Sequence, residues 1–97
     1  MMKANILRGK LLGLLKKVYP DGVEKSTVIS IFFQYHKMDD ISSSLEYLVD
    51  KEYVIKKEYS HPYVTQEMIH WYKLSPKGID LMDGNIPADP GIIIPQK

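Results

Sequence analysis

The chain of 97 residues contains no cysteine, which excludes a disulfide framework, a thiolate metal site and a cysteine nucleophile. It also has no apolar run approaching the roughly 20 residues that a bilayer-spanning helix needs, and its first amphipathic stretch carries lysines throughout, unlike a signal peptide. With no mark of an oxidising compartment or a membrane span, the composition points to a soluble cytoplasmic chain. An excess of one charge is missing too: 13 basic residues stand against 12 acidic ones, a net +1, so the total shows no strongly basic footprint of the kind nucleic-acid-binding domains carry. Arginine is almost absent. Arg8 is the sole example, and arginine is the side chain whose planar fork best suits bidentate contact with guanine.

Signs of catalysis are also lacking. His36, His61 and His70 do not fall at the spacing of a helical metal pair. No glycine-rich phosphate loop follows a strand, and the carboxylates Asp39-Asp40 and Asp80-Asp83 sit at expected helix ends, where capping and solvation account for them. A chain of this length forms one domain with a single core and has little room for a concave pocket. The expectation is a non-catalytic protein with no cofactor and no metal site.

What the chain does contain is a clear succession of periodic segments. From Ile6 to Tyr19, Leu7, Leu11, Leu14, Leu15 and Val18 recur at spacings of three and four, the stripe of an amphipathic helix. Ile6 and Leu12 lie off that stripe, which predicts either a wide buried face or a dimer contact. Gly9 and Gly13 each weaken the helix by about 1 kcal/mol relative to alanine, so one of them would mark a close approach by another backbone. Tyr-Pro-Asp-Gly at 19–22 ends the helix in a tight turn. Residues 23–25 suit a short first strand. A second helix then begins at Lys25 or Ser26, with Val28, Ile29, Phe32 and Tyr35 as its inner face, although its β-branched residues would also suit a strand. Residues 36–38 are the turn, and Asp39 is the expected N-cap of a third helix over about 40–51.

In that third helix Ile41, Leu45, Leu48 and Val49 share the core face and Ser43, Glu46, Tyr47 and Asp50 point outward. Residues 39–52 hold five carboxylates (Asp39, Asp40, Glu46, Asp50, Glu52) against Lys51 alone, whereas residues 1–25 hold six basic groups (Lys3, Arg8, Lys10, Lys16, Lys17, Lys25) and two acidic ones (Asp21, Glu24). Residues 53–59 and 69–74 then read as a pair of strands, with Tyr72 and Leu74 on one face and Trp71 and Lys73 on the other. Residues 60–68, including Pro62 and Tyr63, form the loop between them. Ser75 and Pro76 open a last helix as N-cap and first helical residue, Ile79, Leu81 and Met82 anchor it, and Gly84-Asn85 stops it. The tail from Ile86 to Lys97 holds three prolines and three consecutive isoleucines, which predicts an extended segment strapped across its own domain or buried against a second copy.

The run LEYLVDKEYVI at 45–55, followed after a loop by YKLSPKG at 72–78, resembles winged helix-turn-helix regulators of the MarR and PadR type, over about residues 5–84. More weakly, the chain is similar to small winged-helix proteins of Mu-like prophages. The resemblance implies an α+β winged helix-turn-helix fold: a three-helix core, a two- or three-stranded wing sheet and a C-terminal helix over residues 1–84, with an extended tail over 85–97. It implies that a homodimer binds double-stranded DNA as a transcriptional regulator, with base contacts falling on Ser42, Ser43, Ser44 and Tyr47. Lys56 and Lys57, near the base of the loop, suit either phosphate contacts or an ordinary solvated edge that protects the strand from unwanted pairing, and with Lys51 they complete the expected nucleic-acid-binding set. The charge of the third helix supports an alternative: a protein-interaction module that uses acidic Glu46 and Asp50, or an aromatic patch of Tyr59, Tyr63 and Trp71.

Overall fold

A computed structural model describes residues 4–94. Its elements, in order, are α1 (Ala4–Val18), β1 (Gly22–Glu24), α2 (Lys25–Phe32), α3 (Met38–Asp50), β2 (Val54–Ser60), β3 (Met68–Leu74) and α4 (Pro76–Asp83). The architecture is α+β. Four helices pack with one antiparallel three-stranded sheet of order β1-β3-β2, in which β2 and β3 form a hairpin paired from Val54↔Leu74 to Ser60↔Met68. Lys3 and the last three residues of the expected tail lie outside the described residues.

The core lies where α1 and α3 meet the base of the sheet. Leu7, Leu11, Leu12 and Leu15 of α1 are buried against Ile41, Leu45 and Leu48 of α3 and against Val54, Tyr72 and Leu74 of the hairpin. Each such side chain contributes about 1.5–3 kcal/mol by leaving water. The buried face of α1 is therefore wide. Leu12 is fully enclosed by its own chain, while Leu14 and Val18, expected at the centre of the stripe, are only partly buried. Gly9 is buried and Gly13 has open space beside it.

Two expectations about helix ends are corrected. The second helix stops at Phe32, where the Phe33 N–H still reaches the Ile29 carbonyl and the Tyr35 and His36 N–H groups turn back to Phe32. Tyr35 therefore lies past the helix and is 78% exposed rather than on an inner face. Asp39 is not the N-cap of α3. Lys37 holds that position without a side-chain hydrogen bond, and Asp39 and Asp40 occupy the first turn, where their charge still suits the helix dipole. By contrast, α4 opens as expected: the Ser75 hydroxyl accepts from the Gly78 N–H at 3.0 Å and donates to the Glu52 carbonyl at 2.6 Å, with Pro76 at the first helical position.

The ends of α3 and α4 share one hydrogen-bond pattern. After α3, Glu52 N–H reaches Val49 O and Tyr53 N–H reaches Leu48 O; after α4, Gly84 N–H reaches Leu81 O and Asn85 N–H reaches Asp80 O. Both are Schellman-type turns that require a left-handed residue. Gly84 supplies it at φ 78°, whereas Glu52 adopts φ 70° at a cost that glycine would avoid. Gly78 is required for a different reason, since a Cβ there would run into the Tyr53 carbonyl and the Leu74 side chain.

The tail is strapped across its own domain. Ile92 is buried in the core cluster, the Ile93 N–H donates to the Asn5 carbonyl at 3.0 Å, and an Arg8 guanidinium N–H donates to the Gly91 carbonyl at 3.1 Å. Of the three isoleucines only Ile92 is fully enclosed; Ile93 is about half exposed.

Candidate functional site

The face that α3 turns to solvent follows from its period. Ile41, Ser44, Leu45 and Leu48 point inward and are buried, which leaves Asp39, Ser43, Glu46 and Asp50 exposed one above another. Ser44 is thus removed from the outward set to which the resemblance assigned it: at 4% exposure it lies one position along from the core residue Leu45. Ser42 is half-buried, and the Ser43 hydroxyl donates to the Asp39 backbone carbonyl. The serines therefore offer little free hydrogen-bonding surface.

Tyr47, also expected outward, sits on the flank of α3 beneath the tail. The Arg8 guanidinium lies 3.5 Å from its ring centroid, and Gly91 approaches its hydroxyl so closely that a Cβ would overlap it. Arg8 spans the two, stacking on Tyr47 while donating to Gly91. The one arginine of the chain is thus committed to holding the tail against α3.

Beside this contact lies a buried polar cluster. The Asp89 carboxylate accepts from the Tyr53 hydroxyl at 2.8 Å and the Gly91 N–H at 2.8 Å, and it lies 3.3 Å from the Lys51 ammonium. Burial alone would raise the Asp89 carboxyl, but these three donors outweigh it and hold the group below the ordinary carboxylate range. Burial, reinforced by hydrogen bonding to Asp89, pushes the Tyr53 phenol up to about 12. Lys51, expected at phosphate, is a partner in this cluster.

The remaining expected phosphate contacts divide. Lys56 lies 2.8 Å from Glu46 and 3.6 Å from Glu58, and the hydrogen bond to Glu46 raises its pKa above the ordinary value. Among the described residues Lys57 pairs with no carboxylate, and it lies 5.6 Å from the centroid of the Trp71 ring. Among the described residues, Asp39, Asp40, Asp50 and Glu52 make no ion pair. The α3 side of the molecule therefore keeps an unneutralised acidic surface.

The hairpin has two distinct faces because strand side chains alternate. Val54, Tyr72 and Leu74 turn inward, and Lys56, Glu58 and His70 continue that face beyond the core. On the outer face Ile55, Lys57 and Tyr59 stand opposite Lys73, Trp71 and Ile69. Trp71 also lies over Gly22, where any Cβ would strike both its ring and the backbone of Tyr72. Tyr59 and Trp71 thus share one face. Tyr63 stands apart in the connecting loop and is 91% exposed. That loop is held by His61, whose Nδ1 accepts from the Tyr63 and Val64 N–H groups at 3.1 and 3.0 Å, which places the imidazole proton on Nε2. An open cleft of about 530 Å³ separates this loop from the start of α2 and is lined by Glu24, Lys25, His61, Glu67 and His70 among others.

Two features escaped the sequence reading. The first is the cluster of Asp89 with Tyr53 and Lys51, whose one visible signal is a carboxylate between two prolines in an otherwise apolar tail. The second is a run of exposed apolar side chains, Ile31, Phe33, Tyr35 and Met38, around the turn between α2 and α3. Of these only Tyr35 had a place on the expected inner face, which the stop of α2 at Phe32 removes. Among the described residues no helix is long and apolar enough to cross a membrane, and no group of histidines and carboxylates is arranged to hold a metal ion. No family model matches the chain, and neither does any curated protein or any solved structure.

Proposed function

We propose that this chain is a non-catalytic winged-helix protein that docks on a basic protein surface through α3. The element order, a helix followed by a short strand, two helices, a hairpin and a last helix, is compatible with a winged helix. The observation that carries the functional reading is the outward face of α3: Asp39, Glu46 and Asp50 are exposed there, while Tyr47 and Arg8, the residues best suited to groove contacts, are taken up by the tail. Such a face repels phosphate and gains no counterion release on a duplex. It is complementary to lysine- and arginine-rich protein surfaces, which it would steer toward itself over a Debye length of about 8 Å at physiological salt. The exposed apolar side chains Ile31, Phe33, Tyr35 and Met38 beside it supply the desolvated contacts that give such an interface affinity.

A second reading, DNA binding, is favoured by the outer hairpin face, where Lys57 and Lys73 flank Trp71. Titrating a labelled mixed-sequence duplex at about 50 and 200 mM salt separates the two. The interaction reading expects no binding at either salt, and affinity capture of a basic partner that Glu46→Lys combined with Asp50→Lys abolishes. Binding that weakens steeply between the two salts, and that Lys57→Glu with Lys73→Glu removes, would replace it with the DNA reading.

A further inference from the structure

We infer that two copies of this chain join edge to edge through β2, antiparallel about a twofold axis at Lys57, to form one continuous sheet. Among the described residues, the order β1-β3-β2 leaves β2 with a neighbour on one side only. That outer edge runs from Val54 to Ser60 with no proline and no glycine, and its pairing to β3 proceeds without a bulge along the whole strand. Of the usual devices that end or bend an edge only charge is present, on Lys56, Lys57 and Glu58. Ile55 and Tyr59 remain 36% and 50% exposed along it.

The strand's own sequence selects the register. In a symmetric antiparallel pair, opposed residues must have the same hydrogen-bonding orientation and lie on the same face, so the axis passes through a residue that meets its own copy. The registers with the most overlap are centred on Lys56, Lys57 or Glu58, and each sets one like-charge pair at the axis. Centring on Lys56 opposes Ile55 to Lys57 and Val54 to Glu58. Centring on Glu58 opposes Lys57 to Tyr59 and Lys56 to Ser60. Only the Lys57 register uses the full strand, setting Lys56 against Glu58 on the inner face and Ile55 against Tyr59 on the outer face, each twice by symmetry. It also has the least costly axis, because the Lys57 ammonium is drawn toward Trp71 on β3, away from the open edge.

The absence of cysteine makes the register directly testable. Under mild oxidation Lys57→Cys should cross-link to its own copy much faster than the exposed loop control Thr65→Cys. Ile55→Cys should cross-link rapidly with Tyr59→Cys in a mixture and slowly by itself. Sedimentation of the unmodified chain should show a concentration-dependent dimer that Glu58→Lys weakens about tenfold, equivalent to about 1.4 kcal/mol, and that adding Lys56→Glu restores. A chain that sediments as a monomer up to about millimolar concentration, or Lys57→Cys no faster than Thr65→Cys, would overturn the pairing. So would Ile55→Cys reacting alone as fast as in the mixture. None of these readouts depends on what α3 binds.

Discussion

Under the tail, Asp89 has donors from a side chain, a backbone amide and an ammonium group, Arg8 is stacked and hydrogen-bonded, and Ile92 is enclosed. At the far end of the hairpin, Tyr59, Tyr63, Val64 and Met68 are all exposed, and among the described residues one edge of β2 has no neighbouring strand. Both regions bring aromatic and charged residues together. They differ in what surrounds them. The tail lies against α1 and the turn that follows α3, whose groups satisfy its polar atoms, while the hairpin projects beyond the core and leaves its groups available. Buried, satisfied contacts are concentrated in the first region and exposed side chains in the second.

Substitutions should separate the two regions by an order of magnitude. The largest effect is expected in the core beneath them: Leu45→Ala should lower unfolding free energy in urea by about 3 kcal/mol through lost burial and a residual cavity, whereas Tyr59→Ala in the same assay should change it by less than about 0.5 kcal/mol. Equal losses would erase the contrast.

Asp89→Ala comes next, at about 2 kcal/mol, because it leaves the buried Tyr53 hydroxyl without its acceptor. The same cluster predicts a pH dependence with two arms. The depressed Asp89 pKa contributes stability that is present above about pH 4 and is lost as pH falls through the folded value. The Tyr53 pKa, raised to about 12, contributes stability that is complete below pH 10 and is lost as pH rises toward 12. Paired denaturation curves across pH should show the acid arm flattened in Asp89→Ala and the alkaline arm reduced but still present, because burial of the Tyr53 phenol persists.

A smaller effect of opposite sign is expected at the end of α3. Glu52→Gly should stabilise the chain by about 0.5–1 kcal/mol by relieving the left-handed backbone that Gly84 already provides after α4. A melting temperature that stays the same or falls would show that the Glu52 side chain contributes more than its backbone costs. Lys56→Ala should also have a small effect, about 0.5 kcal/mol in urea, because its partner Glu46 is about half exposed and solvent screens the pair. A loss as large as that of Asp89→Ala would move the hairpin into the strapped region's class.

How much of this was legible depends on the range of the forces involved. The Ser75-Pro76 start of α4 and its glycine stop were readable because a helix end is specified by the residues at that end. The strands and their inward faces were readable because Tyr72 and Leu74 alternate with Trp71 and Lys73. The stop of α2 was not: Tyr35 continues the helical period in sequence, yet the chain turns at Phe32. The exposure of Tyr35 was hidden for the same reason, whereas Ile31, Phe33 and Met38 lay off the expected inner face.

By itself, then, the sequence determined the succession of elements, the core stripe and the acidity of α3, because period, capping and charge are local properties of the chain. Only the tertiary structure decided that Ser44 is buried, that Tyr47 and Arg8 are bound under the tail and that Asp89 joins Tyr53 and Lys51. Those outcomes rest on contacts between residues as far apart as Arg8 and Gly91, where burial removes the competing water and geometry selects which donors meet which acceptors.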